Sequence, residues 1–106
     1  MPTPDQLYDE ATELRDKGDK EAAIARLQEG LQIDPNHALS HGMLAKLYAD
    51  LARGDEAIFH AKKVVELEPN DTFSYTALSV ICQRVGRIAE AEEAKARAYY
   101  KQMGYK

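Results

Sequence analysis

Two ten-residue stretches, QIDPNHALSH at 32–41 and ELEPNDTFSY at 66–75, decide how the chain is organised. Each sets an acidic residue, Pro and Asn ahead of a helix-like run, and Pro35 and Pro69 stand 34 positions apart. Proline cannot continue the helix before it and pushes the preceding residue out of the α region, so each stretch reads as a seam between helical units. A shift of 34 brings more than the prolines into register: Ala23, Ala57 and Ala91 align, as do Leu14, Tyr48 and Cys82, then Ala11, Ala45 and Ser79, then Leu31, Val65 and Tyr99. A period of this length is the signature of a repeat architecture.

Within each period the apolar residues recur at helical spacing. Leu7, Ala11 and Leu14 mark one stripe, Leu44, Leu47, Tyr48 and Leu51 the next, and Leu78, Ile81, Cys82 and Val85 the third. Partner helices carry Ala23, Ile24, Leu27 and Leu31, then Ala57, Ile58, Ala61, Val64 and Val65. Thr3-Pro4-Asp5-Gln6 has the form of a capping box with proline just inside the helix. Asn36 and Asp71 are the expected caps after each seam. Gly18, Gly54 and Gly86 are expected to end the first helix of each pair in a left-handed backbone position. The spacing predicts helices over 4–17, 20–33, 37–52, 55–67, 72–85 and 88–102, with no strand.

Composition agrees with an ordinary globular chain: 106 residues, 44% hydrophobic and 30% charged. No apolar run approaches the length of a membrane span, and MPTPDQLYDE has neither the basic nor the apolar region of a signal peptide. A single cysteine, Cys82, permits no internal disulfide, and together these features point to a cytoplasmic protein. The formal charge of −4 is graded: −5 over 1–34 (nine acids, four bases), −2 over 38–71 (six, four) and +3 over 72–106 (three, six). An acidic total without a dense Lys/Arg patch argues against nucleic acid as a partner. The gradient could align head-to-tail neighbours, or be scattered surface charge.

The 34-residue helix–turn–helix unit resembles the tetratricopeptide repeat, in three gapless copies at about 4–37, 38–71 and 72–105 within one domain of 1–106. The first-helix pattern of that family corresponds to Leu7, Glu10, Ala11 and Leu14, then His41, Leu44, Ala45 and Tyr48, then Tyr75, Leu78, Ser79 and Cys82. Its second-helix pattern falls on Ala23, Leu27, Gly30 and Pro35, on Ala57, Ala61, Val64 and Pro69, and on Ala91, Lys95 and Ala98, with Met103 where a proline would close the third copy. Glu10 occupies a usually apolar slot. In the second copy position 52 is Ala and the glycine appears at Gly54, which would lengthen the first helix. Glu92 and Lys95 put charge where earlier copies are apolar, as suits a last helix with no following repeat.

The resemblance implies an all-α, right-handed superhelical array of three antiparallel helix hairpins whose first helices line a concave groove. Its function would be a protein-interaction scaffold, with no cofactor and no catalysis, holding a peptide or amphipathic helix. Groove positions of the family fall on Tyr8, Thr12, Leu39, Met43, Lys46, Phe73, Ala77, Val80 and Arg84, with Asp9, Asp16, Gly42, Asp50 and Gln83 beside them. Leu39, Met43, Phe73 and Val80 would form an apolar strip, and Gly42 leaves room for a ligand side chain. In the alternative, Leu39 and Phe73 pack between hairpins and Met43 alone is exposed. One subclass of the family grips a chaperone's C-terminal carboxylate with two Lys/Asn pairs and an Arg. The matching positions are Tyr8, Thr12, Met43, Phe73 and Ala77, none of which can form that clamp. Tyr99, Tyr100, Met103 and Tyr105 either cover the end of the array or pack against a second copy, giving a weak homo-oligomer.

Chemistry-bearing residues form no recognisable constellation. His37 and His41 are four apart but lack a neighbouring acid or cysteine, and read as surface histidines rather than metal ligands, with His60 alone on another helix. Cys82 falls in a core slot and reads as a buried, inert thiol. Glu90, Glu92 and Glu93 sit where the positive end of the last helix favours acids. Gly-rich phosphate loops are absent.

Overall fold

The computed structural model describes residues 1–104, all of whose regular structure is helical. Six helices follow in order: α1 (Pro4–Asp16), α2 (Lys20–Ile33), α3 (Ala38–Asp50), α4 (Gly54–Leu67), α5 (Thr72–Arg84) and α6 (Ile88–Gln102). Side-chain caps fix three of the six starts. Thr3 Oγ1 accepts from the Gln6 amide at 3.1 Å while the Thr3 amide donates to Gln6 Oε1 at 2.9 Å, a complete capping box with Pro4 at the first helical position. Asp19 accepts from the Ala22 amide, and Asp71 from the Phe73 amide. Asn36 is not the cap of α3. His37 holds that place without a side-chain cap bond, and the Asp34 carboxylate accepts from the Asn36 amide instead.

The first helices end alike. The Asp19, Arg53 and Arg87 amides donate back to the carbonyls of Leu14, Tyr48 and Cys82 at 2.9, 2.8 and 2.7 Å. These are the six-residue closing bonds of the Schellman turn, which needs a left-handed residue just past the cap. Gly18 (φ 88°) and Gly86 (φ 82°) supply it in the outer hairpins; in the middle one it is Ala52 (φ 60°). The expectation that Gly54 takes this role, and that α3 runs longer, is therefore wrong: α1, α3 and α5 all have 13 residues. Gly54 instead opens α4, where an added Cβ would lie 3.2 Å from Val85 Cβ. Its lack of a side chain serves the approach of two hairpins, not the turn.

Helices pair within each hairpin (α1 with α2, α3 with α4, α5 with α6), and successive hairpins stack into an all-α solenoid measuring 42 × 26 × 19 Å. The register alanines Ala23, Ala57 and Ala91 are at most 3% exposed and let the paired helices close. Leu27, Leu44 and Leu47 lie fully buried beside them. Across the seams, Arg53 pairs with Glu21 and Arg87 with Asp55, the same bridge one period on. Each is solvent-exposed and screened by water, so the buried seams carry the stacking. Glu92 and Lys95 are both exposed on α6.

Candidate functional site

The first helices α1, α3 and α5 lie side by side, with α3 in the middle. Two adjoining hollows open on their shared face. One, of about 370 Å³, lies between α3 and α5 over α4, and is walled by Ala45, Ala61, Val64, Ala77, Val80 and Ile81 with Lys46 and Arg84 among its lining. The other, of about 240 Å³, lies between α1 and α3 and includes Tyr8, Arg15, Leu39, Met43, Glu68 and Asp71. Gly42, Lys46, Val64 and Ser74 belong to both, so the hollows form one groove. At Gly42 an added Cβ would meet only Val64 Cγ2, at 3.9 Å, so the missing side chain leaves real space.

Phe73 is 82% exposed, Leu39 60% and Val80 50%; Leu39 and Val80 line the two hollows and form an open apolar strip, whereas Phe73, in the first turn of α5, lines neither. Met43 is 4% exposed and forms part of the wall, which corrects the expectation that it presents itself in the groove. The alternative in which Leu39 and Phe73 are buried and Met43 is open is the reverse of the arrangement. Helical residues advance about 100° each, so Met43 sits about 40° round from Leu39 toward the buried Leu47. On the middle helix, which α1 and α5 flank, that rotation is enough to cover it.

Polar groups surround the strip. Arg84 is paired with Asp50 from the preceding repeat, and Arg15 with Asp16 at 3.2 Å. Lys46 is exposed and makes no ion pair among the described residues. Thr12 donates its hydroxyl to the Tyr8 carbonyl at 3.0 Å, so it is occupied within α1. Tyr8 is half-buried with its ring edge toward His37, whereas Ala77, Gln83 and Asp9 are exposed.

On the far end, Tyr99, Tyr100 and Met103 are each more than half exposed, with the two tyrosine rings edge to face at 5.9 Å. They do not seal the end by burying themselves. Tyr105 lies outside the described residues.

The histidines depart furthest from expectation. His41 is 4% exposed, and its Nε2 lies 2.8 Å from the Pro35 carbonyl. A carbonyl only accepts, so Nε2 carries the proton and Nδ1 accepts from His60 Nδ1 at 2.9 Å. His60 therefore does not stand alone; it also stacks on Tyr48 with centroids 5.6 Å apart. Burial first, and then repulsion between the two facing imidazoles, push its pKa down to about 4. His37 bridges Ser40 at 2.6 Å and Asp5 at 2.7 Å, tying α3 to α1. The signal was present in the repeat: His41 shares its slot with Leu7 and Tyr75, both buried. Cys82 is free and fully buried, and burial raises its thiol pKa. Among the described residues no three His, Cys, Asp or Glu side chains converge as metal ligands, and no helix is long and apolar enough to cross a membrane.

Stacked helix hairpins with a 34-residue period and an open inner groove define an all-α repeat solenoid. A tetratricopeptide repeat profile matches residues 14–79, more than half of the chain, and the chain belongs to that family. The family is a protein-interaction fold. The STIP1 homolog of Dictyostelium discoideum is 30% identical over 92 residues, covering 79% of this chain but only 16% of that protein. A crystal structure of MamA superposes with a TM-score of 0.85 at 20% identity, over 96% of this chain and 60% of that one. The second tetratricopeptide domain of Spaghetti (RPAP3), solved bound to the HSP90 peptide SRMEEVD, superposes at 0.79 with 18% identity, over 91% and 89%.

Proposed function

We propose that the chain is a non-catalytic, cytoplasmic interaction module that holds a peptide or amphipathic helix in its inner groove. The observation that carries this reading is the apolar hollow of about 370 Å³ lined by Val80, Ala77 and Val64, with Val80, and Phe73 nearby in sequence on the same helix, left exposed unless a ligand covers them. Family membership supports the same reading, as does the likeness to a domain solved with a bound peptide. The ligand would be held differently from a chaperone tail: Tyr8, Thr12, Met43, Phe73 and Ala77 offer no cationic or amide side chain for a carboxylate clamp. Leu39, Phe73 and Val80 serve as anchors, with Lys46 and Arg84 on the rim setting orientation and Met43 shaping the wall. Neither nucleic acid nor membrane enters this reading.

The test is selection from a display library of twelve-residue random peptides, followed by affinity measurement on wild type and on Phe73→Glu/Val80→Glu. Both side chains are exposed, so the variant keeps the core, whereas Met43→Glu would damage it. Selected peptides should lose about tenfold or more in affinity. Equal binding by the variant would remove the groove from the function. The exposed Tyr99, Tyr100 and Met103 favour a second reading, self-association through the C-terminal face. Light scattering that reports a monomer at every concentration would rule that out.

A further inference from the structure

In the first two hairpins, one stripe of the second helix faces the hairpin that follows. In α4 it runs through Gly54, Ile58, Lys62 and Val65. Gly54 lies against Val85, Ile58 is buried, and Lys62 Nζ is 3.0 Å from Glu90 Oε2. In α6 the same register falls on Ile88, Glu92, Ala96 and Tyr99, with Met103 one turn further on. Among the described residues no hairpin covers this stripe, and Ile88, Tyr99 and Met103 are each more than half exposed.

The opposite end of the solenoid does not complement it. The slots by which α3 and α5 pack on the preceding hairpin hold Leu44 and Leu47, then Leu78 and Ile81, all buried. In α1 they hold Glu10 and Glu13. Stacking a second copy head to tail would bury these carboxylates under Ile88, Tyr99 and Met103, a costly desolvation. It would also lack the bridge that crosses each seam. Arg53 pairs with Glu21 and Arg87 with Asp55, but the pair that falls in register across such a contact is Asp19 with Ala89.

Turned end for end, the stripe complements itself. Two α6 helices packed antiparallel about a twofold axis between positions 95 and 96 set Ile88 level with Met103 of the partner subunit. Glu92 comes level with Tyr99 of the partner subunit, whose hydroxyl can donate to the carboxylate. Ala96 lies beside the axis, where a small side chain lets the helices close. The acids of α6 (Glu90, Glu92, Glu93) all precede its bases (Lys95, Arg97, Lys101), so this packing sets opposite charges level and the helix dipoles antiparallel. Glu93 falls beside Arg97 of the partner subunit. The pairs within α6, Glu92 with Lys95 at 3.8 Å and Glu93 with Arg97 at 3.5 Å, are long and exposed, so re-pairing across the axis costs little. We propose that a second copy of this chain covers the C-terminal end of the solenoid, in a twofold dimer joined by antiparallel α6 helices. This rests on the self-association reading and fixes its geometry. One helix of 15 residues is a small contact, so the dimer is a weak one.

Sedimentation equilibrium of the full chain from about 10 μM to 1 mM measures the association. A monomer–dimer equilibrium without larger species is expected, since a twofold contact closes on itself. Glu93→Arg sets like charges level on both sides of the axis and should weaken the dimer by about tenfold; adding Arg97→Glu should restore it. A head-to-tail contact with the acidic α1 would instead be tightened by Glu93→Arg. Ala96→Cys should cross-link to its own copy under mild oxidation, because its position beside the axis is within disulfide reach. Cys82 is fully buried and does not compete. The three positions are exposed, so the variants keep the core, and helical circular dichroism checks that they do. A monomer at every concentration would remove the self-association reading and this dimer with it. Larger assemblies, a dimer tightened by or indifferent to Glu93→Arg, or no cross-link from Ala96→Cys would overturn this geometry while self-association stands.

Discussion

Replacing Ala52 by Gly should stabilise the protein, although it removes a methyl group and adds chain entropy to the unfolded state. Ala52 is exposed and adopts φ 60°, at the position where the equivalent turns use Gly18 and Gly86. A residue with a Cβ costs about 1–2 kcal/mol there, because the Cβ crowds the following carbonyl oxygen. The extra freedom of glycine in the unfolded chain gives back about 0.4–1 kcal/mol. No buried contact is lost, so a net gain of about 0.5–1 kcal/mol is expected, a rise in melting temperature of about 2–8 °C for a domain of this size.

Urea unfolding followed by helical circular dichroism measures the effect as a higher midpoint at unchanged slope. The reverse substitutions supply the control. An added Cβ at Gly18 or Gly86 would meet nothing within 4 Å, so Gly18→Ala and Gly86→Ala can lose stability only through backbone strain. Each should cost about 1 kcal/mol. If Ala52→Gly is neutral or destabilising while the two reverse changes cost what is expected, the three turns are not energetically equivalent and the reasoning from register fails.

The remaining predictions concern the groove and the buried polar groups. Gly42→Ala should fit against Val64 and raise stability by about 0.8–1 kcal/mol through helix propensity, while weakening any groove-bound peptide; tighter peptide binding would contradict the placement. Ser79 donates its buried hydroxyl to the Ala91 carbonyl at 3.0 Å, so Ser79→Ala should cost about 1 kcal/mol in urea unfolding. His60, with a folded pKa near 4 against 6.5 unfolded, binds fewer protons folded than unfolded between those values, so its contribution to stability falls as pH drops through that window. Between pH 7 and pH 5 this amounts to roughly 1–2 kcal/mol, and His60→Gln should flatten the melting-temperature profile over that interval. An unchanged slope in that variant would place the acid sensitivity elsewhere.

The helix boundaries were legible to within two residues because proline, capping residues and the 34-residue register punctuate the chain independently of tertiary packing. What register alone could not separate is the reason a residue type occurs. A glycine at 54 looked like a displaced turn residue because φ and close approach leave the same mark on a sequence; only the distance to Val85 distinguishes them. Asn36 was a credible cap by type, but Asp34 takes the competing local bond. The groove was legible as a face, not side chain by side chain, since Met43 and Leu39 differ by a rotation that matters only once α1 and α5 flank α3.

The histidines show how far the repeat itself can be used as a reference. A lone histidine is ambiguous, but one sharing its slot with a leucine and a tyrosine, both buried, is placed in the core by its own chain. The same comparison run in the other direction separates replacement from vacancy. One period on from Tyr48 and His60 stand Cys82 and Ala94, yet Cys82 is fully buried and Ala94 only 3% exposed, so the smaller side chains are covered rather than left beside open space. A large-to-small change in a packed interior costs least where its surroundings close over it, and the second and third hairpins do so here.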